Sequence, residues 1–348
     1  MERGAVKRRT PRIHNGIKLA LGGVCALGVI CLASSVGTSN ISAAQAARII
    51  ASKIARLPLG GVDERAAAIV WNLRLPRALL AFVAGGCFAA SGAVFQSVLR
   101  NQLASPYIMG VSSGASLGSA LVMLSGLSLP LAGAFTLPAA GFAFGLLTVL
   151  AVVALAEKLD PALSNNTVIL FGMVFSLFVN AALTTLLALF REELKSLLVW
   201  QMGSFSLKGW AHVRLLLPFC AVGMFGVMRY AKEMDILTFG EEQAKSAGVE
   251  TERVKKLLFL YGAVLTGGAV ALSGAVGFVD LISPHAARKL VGSTHRAVVP
   301  MSFLIGGCLL AASDVAARTV VSPSELPVGA ITALVGAPFF AAVYFGKR

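Results

Sequence analysis

From Asn101 to Ala156 the chain has no Asp, Glu, Lys, Arg or His, a run of 56 residues. A single helix of that length would measure about 84 Å at 1.5 Å per residue. The hydrocarbon core of a bilayer is only about 30 Å thick, so the run has to fold back, and Pro130 among its Gly, Ser and Leu neighbours marks the turn. Shorter charge-free runs cover Leu19–Ala47, Ala78–Leu99, Pro161–Phe190, Leu257–Val279, Ala297–Ser313 and Leu326–Gly346. Leu215–Met228 reaches spanning length when Trp210 and Tyr230 are counted as interface anchors. Nine spans follow, at about 17–36, 77–99, 107–126, 135–157, 166–190, 211–231, 256–276, 297–317 and 327–346. A tenth near 278–291 is interrupted by His285, Arg288 and Lys289. Counting it makes the number even and puts both termini on one side. The predicted fold is an all-α membrane protein, a polytopic bundle of about ten transmembrane helices. It consists of a cytoplasmic tail over 1–16 and a single transmembrane domain over 17–348, with a loop over 235–251.

Charged residues make up 13% of the chain, against about 25% in soluble domains. That excludes a water-soluble enzyme. The formal charge of +14 sits at the ends of apolar runs, where Lys and Arg set orientation, so no nucleic-acid partner is expected. The basic set Arg3, Lys7, Arg8, Arg9, Arg12 and Lys18 precedes the first apolar run. This reads as an uncleaved first span with the N-terminus inside. The inner segments carry more Lys and Arg than the outer ones. Cys25, Cys31, Cys87, Cys220 and Cys308 all lie within apolar runs and read as small buried hydrophobes. No metal site is expected, because His14, His212, His285 and His295 are scattered.

Two segments lie outside the spans. Ser42–Leu57 reads as an amphipathic helix on the outer surface, with Ser42 and Gln45 at capping-box spacing and Ile49, Ile50 and Ile54 on one face. Residues 235–251 read as a structured cytoplasmic loop containing a short helix. Within it Glu241 and Lys245 would pair at i,i+4, Gly248 would end the helix, and Thr251 would cap the next span.

Gly110, Gly114 and Gly118 recur every four residues, as do Gly85, Ala89 and Ala93. Small residues on one face let membrane helices pack closely. Gly110–Gly114 also fits G-x-S-x-G, but that motif needs a strand-to-helix elbow with His and acid partners, and it is rejected here. There is no G-x-x-x-x-G-K-[ST] phosphate loop, so any ATP hydrolysis belongs to another polypeptide. Asp314 and Arg318, one turn apart, would pair with each other. Asp280 and Asp314 both fall near predicted span ends, which argues against proton coupling.

Several segments in consistent order together resemble one family. They are Arg74-Leu75-Pro76-Arg77, Ser91-Gly92-Ala93-x-x-Gln96 and Arg100-Asn101-Gln102-Leu103-Ala104-Ser105-Pro106, the last leading into Gly110-Val111-x-x-Gly114-Ala115. Further on are Gly240-Glu241-x-x-Ala244-x-x-x-Gly248-Val249, Gly277-Phe278-Val279-Asp280-Leu281-Ile282-x-Pro284-His285-x-x-Arg288, Asp314-x-x-x-Arg318, Glu325-Leu326-Pro327-Val328-Gly329 and Gly336-Ala337-Pro338-Phe339. From about residue 70 onward the chain resembles the permease subunit of ATP-driven importers of the iron-siderophore, haem and vitamin B12 class, the FecCD type. It departs from that pattern at Gln102, where Pro is usual, and at Asp280, where Gly is usual.

The resemblance implies a homodimeric permease in the cytoplasmic membrane with two cytoplasmic ABC ATPase subunits and an extracytoplasmic binding protein. It implies no cofactor on this chain, with ATP and Mg on the ATPase. By the same resemblance Gly240, Glu241, Glu242, Ala244 and Gly248 form the coupling element that docks on the ATPase. Arg74, Arg77 and Arg318 would meet acids of the binding protein, and Asn165 and Asn166 would narrow the inner gate. On that reading, exchanging Arg74 and Arg77 for Glu abolishes uptake and leaves the fold intact. The implied cargo is an iron-siderophore, with haem or a corrinoid as alternatives. An ion-driven secondary transporter would instead need mid-span acids or broken helices, and the sequence shows neither. An intramembrane enzyme would need a nucleophile with its base or a metal cluster, and a purely structural subunit would carry no cargo.

Overall fold

The computed structural model describes residues 14–37, 41–57, 63–127, 133–190 and 195–345. The basic tail as far as residue 13, the turn at Pro130 and the terminal Lys347 and Arg348 lie outside the described residues. The described residues form helices and loops. α1 is Asn15–Ser35, α2 Ala43–Ala55 and α3 Glu64–Ile69. A π-helical turn at Val70–Arg74 joins α3 without a break to α4, Leu75–Val98. Then follow α5 (Val111–Ser125), α6 (Thr136–Leu159), α7 (Asn165–Leu189), α8 (Lys195–Gln201) and α9 (Trp210–Arg229). The last group is α10 (Ala231–Leu237), α11 (Glu241–Ser246), α12 (Thr251–Ser273), α13 (Val279–Val291), α14 (His295–Thr319) and α15 (Val328–Phe345).

Among the described residues seven helices are long and apolar enough to cross a membrane: α1, the continuous 64–98 helix, α6, α7, α9, α12 and α14. α5 and α15 are shorter apolar helices. The weak tenth span is α13, whose 13 residues cover only about 20 Å. With α13, the described residues hold ten segments that match the expected spans, seven of them long enough to cross a membrane.

α4 is the axis of the bundle and is almost wholly buried. Its small residues explain why. A Cβ on Gly85 would overlap the Gly306 carbonyl of α14, and one on Gly306 would overlap Ala89. The two backbones are in contact, as the small-residue spacing predicts. Gly114 and Gly118 press in the same way on Thr148, Phe144 and Ala140 of α6. The π-turn precedes Pro76, which cannot donate an i→i−4 bond, and a wider turn relieves its clash with the preceding carbonyl.

Two spans are broken, contrary to the sequence expectation. The span predicted at 107–126 is helical only from Val111. Before it come a 3₁₀ turn, Pro106–Met109, and Gly110 at φ 79°. The span predicted at 256–276 stops at Ser273, and 274–277 lead without helix into α13. The two breaks face each other. Tyr107 donates its hydroxyl proton to the Val276 carbonyl (2.9 Å) and accepts from the Val276 N–H (3.2 Å). The Tyr107 ring lies 6.3 Å from that of Phe88. Phe88 is ten residues, about 15 Å, before the end of α4, which puts the junction near the bilayer centre. Non-helical backbone at that depth is tolerated only when protein satisfies its polar groups.

α2 has the predicted capping box, Ser42 N–H to Gln45 Oε1 (3.0 Å) and Gln45 N–H to Ser42 Oγ (3.2 Å). Ile49 is fully buried and packs with Ala67 and Val70, whereas Ile54 is exposed. The helix is therefore folded onto its own chain as well as lying at one end of the bundle.

Candidate functional site

The candidate residues gather at the two ends of α4, about 36 Å apart for its 24 residues. At the C-terminal end, where Leu99 and Arg100 follow the helix, a cavity of about 980 Å³ opens. Asn165 and Asn166 line it together with Gly240, Glu241 and Glu242. The fold thus brings the expected gate pair and most of the expected coupling set to one cavity. Asn165 donates Nδ2 to the Leu99 carbonyl (3.0 Å), tying the start of α7 to the end of α4. Asn166 is exposed.

The short helix α11 carries the coupling set, and two of its expected local contacts are replaced by longer ones. Glu241 does not pair with Lys245. Its Oε1 accepts from Lys255 Nζ on α12 (2.5 Å), and Lys245 pairs with Glu252 (2.6 Å). The Glu252 carboxylate beside it holds the Lys245 ammonium above the usual lysine value. Thr251 does not cap α12. It is buried as the first helical residue, and Glu250 occupies the cap position. Gly248 does end α11's segment, at φ 83°. Ala244 is fully buried on α11's inner face.

Lys255 was invisible as a site residue in the sequence, where it is one of two lysines opening an apolar run. It is 1% exposed and also donates to the Leu163 carbonyl (2.8 Å). One ammonium therefore joins α12, α11 and the turn before α7. A second link runs from α10, where Asp235 Oδ1 accepts the His295 N–H (2.9 Å) and meets its ring Nδ1 (2.6 Å) at the start of α14.

At the opposite end Arg74, Arg77 and Arg318 converge, but they are engaged within the subunit. Arg77 donates Nε and Nη2 to Asp314 (3.0 and 2.8 Å) and both terminal nitrogens to Glu325 (2.7 and 3.0 Å). Hydrogen bonding to Arg77 holds the Glu325 carboxyl below the usual range. Arg74 donates Nη1 to the Ser35 carbonyl (2.5 Å), and its guanidinium fills the space a side chain at Gly37 would need. Arg318 donates to the Ala33 carbonyl (2.6 Å) and stands 3.8 Å from Asp314. Self-pairing of Asp314 and Arg318 is thus the weaker contact, because the α4–α14 packing brings Arg77 closer.

Asp280 is also not where the sequence put it. It is 1% exposed in the first turn of α13, level with Gly92, and bonds Ser105 Oγ beside the broken span. Arg288 on the same helix donates to Gln96 Oε1 (2.6 Å), and Gln96 Nε2 donates to the Asp280 carbonyl (3.3 Å). These contacts tie the two broken spans to α4. The sequence signal for them was the break in helical pattern at Ser105-Pro106 and at Gly274 and Gly277. Among the described residues no group of three or more His, Cys, Asp or Glu could hold a metal ion.

Residues 25–345 match the FecCD transport family. An uncharacterized ABC transporter permease of Bacillus subtilis, YvrB, is 40% identical over 285 residues, which is 82% of this chain and 81% of the relative. The cobalamin import system permease BtuC of Halobacterium salinarum is 40% identical over 80% of this chain and 74% of its own. The hemin transport system permease HmuU of Yersinia pestis is 35% identical over 78% and 81%. A solved inward-facing structure of a metal-chelate type ABC transporter superimposes with a TM-score of 0.82 at 28% identity, covering 96% of this chain and all of that one.

Proposed function

The chain belongs to the FecCD transport family, and from that membership we propose that it forms the path by which a metal chelate crosses the cytoplasmic membrane, driven by ATP hydrolysed elsewhere. The chain is an integral membrane transport permease and not an enzyme. Relatives import Fe(3+)-citrate, iron(3+)-hydroxamate, hemin and cobalamin. An iron-siderophore is the cargo proposed here, with haem and cobalamin as the alternatives. The partners are a second copy of the chain, two ATPase subunits at the α11 end and a binding protein at the arginine end, with both termini in the cytoplasm.

The observation that carries this reading is the inner cavity. The exposed helix that would receive the ATPase lines the same space as Asn165 and Asn166, and Lys255 joins Glu241 on that helix to the Leu163 carbonyl, two residues before Asn165. Nucleotide can drive transport only if it binds two states of the assembly unequally, and a rigid strut between docking helix and gate transmits that difference. Lys255→Met is expected to raise the ATP spent per molecule carried about tenfold, within the usual range of coupling energies. Exchanging Glu241 and Glu242 for Ala should do the same. Uptake and hydrolysis measured together in proteoliposomes check both, and an unchanged ratio removes α11 from the coupling role. The same vesicles separate an ATP-driven importer from an ion-driven one, for which the broken spans and Asp280 would otherwise be an argument.

A second copy is supported by α7. Asn166, Leu170, Met173, Leu177, Asn180 and Thr184 are all exposed at helical spacing. Asn180 lies about 22 Å along the helix, within the hydrocarbon layer, where a polar side chain normally faces protein or a water-filled path. At the other end, Arg77 is held by Glu325, which is 34% exposed. An acid from a binding protein would displace Glu325 from Arg77, so docking there is an exchange of partners, with Arg74 and Arg318 holding the face in shape.

A further inference from the structure

We propose that the groove between α1 and α14 is a binding site for an anionic phospholipid of the cytoplasmic leaflet. The groove has a volume of about 760 Å³ and is apolar along its length, with Leu21, Cys25, Leu304 and Cys308 among its walls. It runs from Lys18 to Val29 on α1 and from Met301 to Ala312 on α14. Each stretch is twelve residues with its ends about 16 Å apart, or half of a hydrocarbon core of about 30 Å. A groove of that length accommodates one leaflet's acyl chain.

Its polar end defines the headgroup. Lys18 and Lys289 both line the mouth, and Lys18 Nζ donates to the Leu290 carbonyl (2.6 Å) at the end of α13. Lys289 is exposed. Among the described residues neither lysine forms an ion pair with a carboxylate. Two ammonium groups over an apolar trough are complementary to a phosphate carrying acyl chains, which is how basic pockets between membrane helices hold acidic headgroups. A zwitterionic lipid would fill the trough too, but its own ammonium offsets its phosphate, so the two lysines gain less from it. The leaflet assignment rests on the proposed orientation of the termini, whereas lipid retention does not.

The test uses the purified full chain in detergent, loaded with either phosphatidylglycerol or phosphatidylcholine, with retained lipid counted by native mass spectrometry. Phosphatidylglycerol is expected to be retained about tenfold better, the scale set by two lysines near a lipid phosphate. Lys18→Gln with Lys289→Gln should lower phosphatidylglycerol retention about tenfold, to the level of phosphatidylcholine. Cys25→Phe, which places a ring in the open trough, should reduce retention of both. Equal retention of the two lipids by the unaltered protein overturns the proposal, as does an undiminished preference in the double glutamine variant. A Cys25–Cys25 disulfide between two copies in native membranes, formed with Cys31 and Cys308 replaced by Ser, would show that protein covers the groove and would also overturn it.

Discussion

An Arg77→Ala protein is expected to be about 3 kcal/mol less stable than its parent, the low end of the cost of removing one partner from a buried ion pair. Asp314 is 1% exposed. Its Oδ1 accepts from Nε and Nη2 of Arg77 and its Oδ2 from Nε, a fork that only arginine presents in that geometry. Removing the fork leaves a carboxylate in the bundle with Arg318 at 3.8 Å as its remaining counter-charge, and that residual attraction keeps the loss at the lower bound. Arg77→Lys should lose less, because the charge remains and only the bidentate bond is gone. Arg77→Glu should lose more, since it would place a third carboxylate between Asp314 and Glu325. The sequence-based expectation that glutamates at these positions leave the fold intact is therefore withdrawn for Arg77. Thermal melting of detergent-purified variants, followed by size-exclusion profile, reads the order Lys, Ala, Glu. Pairing Arg77→Ala with Asp314→Asn should recover part of the loss, as coupled partners do in a double-mutant cycle. If Arg77→Ala melts with the parent, the ion pair contributes nothing to folding.

Gly92→Val is expected to prevent accumulation of folded protein. A Cβ at Gly92 would overlap the Asp280 carbonyl oxygen and would also press on Asp280 C and Cα (2.7 and 2.9 Å). All three are backbone atoms, so no side chain can swing aside. The start of α13 would have to shift, taking with it the Ser105–Asp280 and Gln96–Asp280 bonds. Gly92→Ala carries the same first clash and should fold with a loss of about 1–3 kcal/mol, the range for an overpacked core. Gly23 is the control, because nothing lies within 4 Å of a Cβ placed there and Gly23→Ala should be neutral. Expression level and monodispersity measure both. A well-folded Gly92→Val protein would mean that α13 does not approach α4 this closely.

The approximate number of membrane segments and the place along the chain of the loop that carries α11 were legible in the sequence, because both follow from where charge is absent. The glycine repeats were read correctly as packing faces, since small residues four apart define a face whatever its partner. The breaks near Gly110 and Gly274 were not seen. An apolar run looks the same whether its backbone is helical or extended, and only the partner across the gap, Tyr107 to Val276, makes the break affordable. Lys255 was passed over for a related reason, since a lysine beside an apolar run reads as an interface anchor until Leu163 and Glu241 are brought to it.

By itself, then, the order of residues determined that this chain lies in a bilayer, how many times it meets it, and which small faces its helices share. Those properties depend on transfer from water to hydrocarbon and on local spacing, and both are written along the chain. Tertiary structure alone decided which charges meet. Arg77 took Asp314 and Glu325 from more than 230 residues away, Glu241 took Lys255 in place of Lys245, and Asp280 ended beside Ser105. In a low-dielectric interior a buried charge takes whichever partner the packing of distant helices brings within hydrogen-bond range, and sequence proximity does not say which that is.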